Sequence, residues 1–579
     1  MTARTPAIAS AEGIDRTPRD SDIDLAGFEI AAAAGLGALT LLGSIAAFTQ
    51  GWVPVSDAAL IAMHVADVPG NLPLVGAWSR MGWSHPGPFQ YYLLALAYRL
   101  GFSHTAALMA GTLVVTTGGA AAAWLLARLR DRVAGALVLA SLVAVMAGRA
   151  PVDLRDPWNP YVGIVLTGTL VVAGWLASER RTAGAVVVLP LGSLLVQAHV
   201  GYVPVVAATV AGALVASSIS DEDPFPTRGW LWGVAATVLM WIPPLYEQVT
   251  SPEGNLGLLF ADLGSGGAAA GPLEGVQALS ASLALPPSWL GRSFQLGADG
   301  IEPTWAVPVL LAIPLAGLVV AIRSGNRSGV RALTVSFAAL LGTGVGISRV
   351  TGALHEYLFS GLGAVAAVTV ALGSWILVTE LVGRSRVRSL VAATLLAACA
   401  LVCVVAGVRQ FGVTGPYEST AEAVAAVAPM VVDDAGTDAV HIEAVPEFTT
   451  FAALPGFVLA LEEAGVDVVV PEGAEREFGA HRTGDEKGRV RYLVALPGMV
   501  DALAQQGWTL VGSHDPLSAA DSAAAAALDA EFLELQEDLD MAVEQGAETD
   551  ELESRIRRNR DQVYEIRAER FPVAVMRAP

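Results

Sequence analysis

Long apolar runs recur through the first two thirds of the chain, each about as long as a membrane-crossing helix of roughly 20 residues. Eleven such runs are predicted to span, at residues 26–49, 104–127, 133–148, 159–177, 183–198, 202–219, 230–246, 304–322, 332–347, 355–379 and 389–408. Residues 1–25 are polar and proline-bearing and are predicted to be disordered, followed by a retained anchor. Segment 89–100 is apolar but short, and it starts at a rigid His-Pro-Gly-Pro corner. A helix of that length falls short of roughly 30 Å of hydrocarbon, so it is predicted to lie in the interface. From about residue 410 the pattern changes. Short β-branched runs at 438–445, 466–470, 490–495, 508–512 and 571–576 alternate with helical stretches, predicting a small α/β domain over 410–579.

Arginine placement sets the predicted sidedness. With the N-terminus in the cytoplasm, the clusters at Arg128, Arg130 and Arg132, at Arg180 and Arg181, at Arg323, Arg327 and Arg331, and at Arg384, Arg386 and Arg388 all fall inside. Counting 89–100 as a span would put the first two clusters outside. The expectation is an α-helical polytopic membrane protein in the plasma (inner) membrane. Its membrane domain covers 26–409, its first external loop 50–103, and its C-terminal domain is extracytoplasmic.

Composition agrees. The chain is 54% hydrophobic and 15% charged, against roughly 25% charged for a soluble protein. The net charge of −21 is concentrated after residue 410, where 32 acidic residues face 12 basic ones. The membrane part is therefore nearly neutral, and without a basic footprint nucleic acid is not an expected partner. Cys399 and Cys403 lie one helical turn apart in a span and read as small buried hydrophobes.

The same sidedness gathers the chemistry outside. The first loop carries Asp57, Asp67, His64, Arg80 and His85; later external turns carry Asp153, Arg155 and Asp156, then His199, then Arg349 and His355. Asp57 stands just before a helical pattern, as an N-cap or as a general base taking a proton from an acceptor hydroxyl. Asp67 is a second candidate base, in a Val-Pro-Gly-Asn context that also suits a turn. His85 either holds its corner or contacts a phosphate or hydroxyl. His199 and His355 reach the same level from distant parts of the chain. Arg349 is a partner for a lipid phosphate or a snorkelling helix-end arginine. Pro157, Trp158, Pro160 and Tyr161 read as an interfacial anchor, and Asp156, beside this rigid Pro-Trp-Asn-Pro, is a candidate substrate contact. No metal motif has convincing spacing, although Asp57 with Asp67 or His85 offers a hard divalent cation two ligands. The expected lipid contact is the surrounding bilayer. The spans are nearly uniform in Ala, Val, Leu and Gly, unlike a transporter with polar residues at mid-depth. A non-catalytic envelope assembly or sensor protein remains the alternative.

This order of features resembles the GT-C membrane glycosyltransferases, in the branch containing protein mannosyltransferases and bacterial aminoarabinose and arabinofuranosyl transferases. The likeness rests on the short N-terminus, first span, large outer loop with an early acid, the His85-Pro86-Gly87-Pro88 corner with Tyr91 and Tyr92, and the arginine-rich turn after the next span. It implies an inverting transfer of one sugar from a polyprenyl-phosphate donor to a hydroxyl of a glycan, lipid or protein. On that likeness Asp57 is the base, and His85 and Arg349 contact the donor phosphate. Many members carry two adjacent acids after the first span; here Asp57 is followed by Ala58 and the next acid is Asp67.

Overall fold

The computed structural model describes residues 23–579, except 80, 102–104, 219–225, 265–268, 291–304, 353, 384, 414, 416, 446–447, 545–548 and 568–569. The predicted disorder before residue 23, Arg80 and Arg384 therefore lie outside the described residues.

Every one of the eleven predicted runs contains a helix. Among the described residues, seven helices are long and apolar enough to cross a membrane: Ala26–Thr49, Ala106–Arg128, Asn159–Ser178, Val200–Ser217, Arg327–Ser348, Glu356–Leu381 and Ser385–Gly412. The chain is a multi-pass membrane protein. Three more predicted runs form shorter apolar helices, Arg132–Gly148, Thr182–Ala198 and Val309–Ser324. The last, Thr227–Thr250, is 24 residues long and carries Pro243 and Pro244 inside it. Small residues let the helices approach closely, as elsewhere in membranes. A Cβ on Gly35 would sit 2.6 Å from the Ala400 backbone, so the first and last membrane helices meet there without side chains between them.

The Phe89–Leu100 helix has the predicted bounds. At 1.5 Å per residue it reaches about 18 Å, too short to cross. Leu93, Leu96 and Leu100 are exposed along one stripe, while Gln90, Tyr91, Leu94 and Tyr98 face inward. That i, i+3, i+7 spacing gives the helix one apolar face toward its surroundings and one toward the protein. A preceding hairpin was not anticipated. Gly76 donates to the His85 carbonyl and His85 N–H to the Ala77 carbonyl, each at 2.8 Å, with a bridge between Trp78 and Ser84.

The C-terminal part carries a five-stranded sheet: β1 (Val440–Ala444), β2 (Val468–Val469), β3 (Val490–Ala495), β4 (Thr509–His514) and β5 (Val573–Arg577). Their order is β2-β1-β3-β5-β4. β1 runs parallel to β2 and β3; β5 runs antiparallel to β3 and β4. This part is not a separate lobe. Its Phe448–Glu463 helix packs on the Ser56–Ala66 helix of the first loop. The contact is close enough that a Cβ on Gly456 would be 3.0 Å from Val55 Cγ1. Buried residues of both parts form one continuous core.

Candidate active site

The Ser56–Ala66 helix begins directly after the first membrane helix, and Asp57 lies in its first turn. The N-cap position is Val55, and no side chain caps the helix. Asp57 therefore does not serve the helix end. Its Oδ2 accepts a 2.6 Å hydrogen bond from the indole Nε1 of Trp158, 101 residues further along. Asp57 keeps partial exposure. Burial raises the pKa of its carboxyl above the ordinary 3.8, and the Trp158 hydrogen bond pulls the other way.

Trp158 is held in turn. Its backbone N–H donates to Asp156 Oδ1 at 2.9 Å, and its ring lies against Tyr161 and Tyr357 at centroid distances of 5.3 and 4.6 Å. Tyr357 stacks on His355 at 5.5 Å with the planes 12° apart. A continuous path thus runs from Asp57 through two aromatic rings to His355. Asp156 is buried, and burial first, then the charges of Asp153 and Asp57, push its pKa up to about 8 despite the Trp158 N–H. Beside it Arg149 pairs with Asp153 at 3.1 Å and with Glu356 at 2.7 Å, which ties the 149–158 turn to the turn bearing His355.

His85 and His199 form a second group, with ring centroids 4.4 Å apart. Both are buried. The Val200 N–H donates to His85 Nδ1 at 3.2 Å, so the neutral ring carries its proton on Nε2. The Gly201 N–H likewise donates to His199 Nδ1 at 3.1 Å. Burial holds both imidazoles neutral, His85 well below its ordinary value and His199 down to about 4. Gly87 in the corner has no room for a side chain, since a Cβ would meet Gln197 at 2.3 Å. The 157–161 segment joins the two groups. Gln90 donates to the Pro157 carbonyl at 2.6 Å, and Asn159 to the Ala198 carbonyl at 2.9 Å.

Asp67 is placed differently. It is buried, and Arg482 grips it with two hydrogen bonds of 2.8 and 2.9 Å, while His481 Nε2 donates at 3.1 Å. Burial alone would raise its pKa, but hydrogen bonds from His481, His64 and Arg482 hold it well below the ordinary carboxylate range. Arg482 also meets Glu462 at 2.6 Å. His64 donates through Nε2 to the Glu477 carbonyl at 2.9 Å. Asp67 is thus a clasp between the first loop and the C-terminal part. Arg349, the C-cap residue of Arg327–Ser348, is exposed, and its backbone N–H donates to the Gly346 carbonyl at 3.1 Å.

Several groups at this site had no usable signal in the sequence. Trp158 read as an interfacial anchor, because Pro-Trp-Asn-Pro has the same composition in either role. Glu477 is buried against the site from the C-terminal part, and burial and Asp57 raise its pKa to about 7. Nothing in its local sequence marks it. Among the described residues no group of three His, Cys, Asp or Glu side chains is arranged to hold a metal ion, and both Asp67 oxygens are engaged by Arg482.

Because the Trp158 hydrogen bond favours the ionised carboxylate, Trp158→Phe should raise the pKa of Asp57. The acid limb of a pH–activity profile should then move to higher pH, with the plateau rate largely kept. A profile identical to wild type would disconnect Trp158 from the acting carboxylate.

The architecture is a helical membrane bundle with the 50–103 loop at one end and a C-terminal part folded over that loop, and this fold is similar to that of solved membrane proteins. The solved structure of ArnT from Cupriavidus metallidurans bound to undecaprenyl phosphate matches with a TM-score of 0.50 at 12% identity, covering 85% of this chain and 97% of that one. Its apo state matches at 0.49 and 12%, covering 83% and 95%. An Archaeoglobus fulgidus oligosaccharyltransferase matches at 0.40 and 14%, covering 82% and 68%. No protein-family profile matches the chain, and no curated protein matches it.

Proposed function

We propose that this protein is a membrane glycosyltransferase. It moves one sugar from a polyprenyl-phosphate donor to an acceptor hydroxyl of a cell-envelope glycan, lipid or protein on the extracytoplasmic side, with Asp57 as general base. The observation that carries this reading is the Asp57 carboxylate. It stands at the mouth of the first loop, frees itself from any capping duty, and is oriented by the Trp158 indole. The GT-C-like fold supplies the context, and the ArnT structure bound to undecaprenyl phosphate suggests the lipid class. The N-terminus is cytoplasmic on this reading, so the loop and the C-terminal part face outward.

In the step itself Asp57 takes the proton of the acceptor hydroxyl. The acceptor oxygen forms a bond to the anomeric carbon as the bond from that carbon to the donor phosphate oxygen breaks, and the polyprenyl phosphate leaves with its electron pair. A single displacement inverts the anomeric centre. Charge builds on the departing phosphate, and fixed donors beside it lower the barrier. Arg349 and His355, both accessible, are assigned to that phosphate. His85 and His199, each with Nδ1 engaged by backbone, hold the corner from which the interfacial helix starts. Asp156 holds Trp158 by its backbone N–H. Asp67 fastens the loop.

On this assignment Arg349→Ala and His355→Ala should each raise the donor KM several-fold, with the acceptor KM unchanged; an unchanged donor KM in both would remove them from the phosphate site. The function itself is tested with full-length protein in proteoliposomes and a panel of radiolabelled polyprenyl-phosphate sugars. Label appearing on acceptor together with free polyprenyl phosphate supports the reading. No transfer from any donor in the panel defeats it.

A further inference from the structure

Ser56, the residue directly before Asp57, has a φ of +50°, in the left-handed region. Outside glycine, asparagine and aspartate that conformation is uncommon, because Cβ crowds a carbonyl oxygen. It persists where the surroundings over-determine it, and such positions gather at functional sites.

The surroundings of Ser56 act from both sides. Val55 before it is extended, with φ −138° and ψ 169°, and is fully buried. The Val55 carbonyl accepts from the Ala58 N–H at 3.1 Å and from the Ala59 N–H at 3.2 Å, which closes the first helical turn around Asp57. The Phe448–Glu463 helix of the C-terminal part presents Gly456 to the same segment. A Cβ on Gly456 would stand 3.0 Å from Val55 Cγ1 and 3.1 Å from the Pro54 carbonyl oxygen, so the chain entering Ser56 is pressed by backbone 400 residues away. Beyond Ser56, the Trp158 indole holds Asp57 Oδ2 at 2.6 Å. An ordinary helix start passes from an extended N-cap straight into right-handed dihedrals. A φ of +50° in place of about −60° rotates all that follows by roughly 110° about the Ser56 N–Cα bond. The direction of the Asp57 side chain is therefore set at Ser56.

We infer that Ser56 and Gly456 are positioning residues for the reacting base: the left-handed backbone at Ser56, held from the C-terminal part through Gly456, aims the Asp57 carboxylate at Trp158. The C-terminal part then contributes to the reaction by fixing the base. The kinetic consequences rest on the reading of Asp57 as general base. The placement is read from the Trp158 indole without turnover.

The test uses full-length Ser56→Val, Ser56→Gly and Gly456→Ala. A β-branched residue is an outlier at positive φ, so Ser56→Val must leave that conformation and move Asp57. Its kcat should fall about tenfold or more, with both KM values nearly unchanged. Ser56→Gly adopts the same backbone without crowding and should keep the wild-type kcat while melting at the wild-type temperature or above it. Gly456→Ala pushes Pro54 and Val55 by one methyl group and should lower kcat several-fold. The Trp158 hydrogen bond lowers the pKa of Asp57, so the acid limb of the rate profile should move to higher pH in Ser56→Val and in Gly456→Ala. In protein carrying isotope-labelled tryptophan, the Trp158 Nε1–H resonance is the one missing from Trp158→Phe. It should shift in Ser56→Val and Gly456→Ala and stay in place in Ser56→Gly. If Ser56→Val does not fold, Gly456→Ala carries the same predictions. Variants that melt lower but keep the wild-type kcat, acid limb and indole resonance would overturn the inference, since a purely structural role predicts that outcome. A Ser56→Gly as slow as Ser56→Val would overturn it too, by making the hydroxyl the acting group. Absence of transfer by wild type would defeat the glycosyltransferase reading and leave the indole resonance to decide the placement.

Discussion

Asp57→Asn should lower kcat by about 10²–10⁴-fold, the usual contribution of a positioned general base, with both KM values nearly unchanged. Asparagine keeps the shape and can still accept from Trp158, so the change removes the proton acceptor and little else. The wild-type profile should fall on the acid side as Asp57 protonates. Burial places that limb above 3.8, so activity is lost at a higher pH than for an exposed aspartate. In Asp57→Asn the residual rate should be flat across that limb. A variant that keeps the wild-type rate and limb would show that another group takes the proton.

Arg482→Ala should destabilise the junction between the first loop and the C-terminal part by roughly 3–5 kcal/mol, the cost of leaving a buried charge without its partner. The Arg482 and Asp67 side chains are 4% and 6% exposed, so solvent screening is weak. The loss should appear as a lower melting temperature and as faster hydrogen exchange over 475–483 and 56–68. The pH dependence follows from the direction of the shift. The Asp67 carboxyl is held below its unfolded value of 3.8, so its contribution is complete above that value and is lost only as pH falls through the depressed folded value. The difference between wild type and Arg482→Ala should therefore be nearly constant from about pH 5 upward. Transfer should weaken as well, since Asp67 is the C-cap of the helix that carries Asp57. A variant as stable as wild type would mean that the clasp does not hold the two parts together.

Local pattern made some of this visible in advance and hid the rest. The membrane helices were legible because a run of about 20 apolar residues has few other uses. The Phe89–Leu100 helix was legible to its ends, because Pro88 stands at its N-cap and Gly101 at its C-cap. The strands of the C-terminal part were legible from β-branched runs between turn residues. The position of Asp57 just past the first span marked it as a candidate, and the structure removes its competing role as a cap. Asp67 shows the limit. Read locally, Val-Pro-Gly-Asn is a turn beside a carboxylate; its partner Arg482 is 415 residues away, and no spacing rule connects them. Trp158 was misread for a similar reason. Its amphipathic side chain suits a membrane interface and a hydrogen bond to a carboxylate equally, and only the fold says which applies. His85 and His199 were expected at one level of the membrane and are found in contact. Which ring nitrogen each offers depends on the Val200 and Gly201 amides, invisible before folding.

The most direct test of the central claim is the anomeric configuration of the product. Wild-type protein is given a polyprenyl-phosphate sugar of known anomer and a soluble glycoside acceptor, and the new linkage is assigned by proton NMR. With Asp57 as a base in a single displacement, the product carries the inverted configuration. A retained configuration would contradict the account, because it requires two displacements and a covalent intermediate in place of a base.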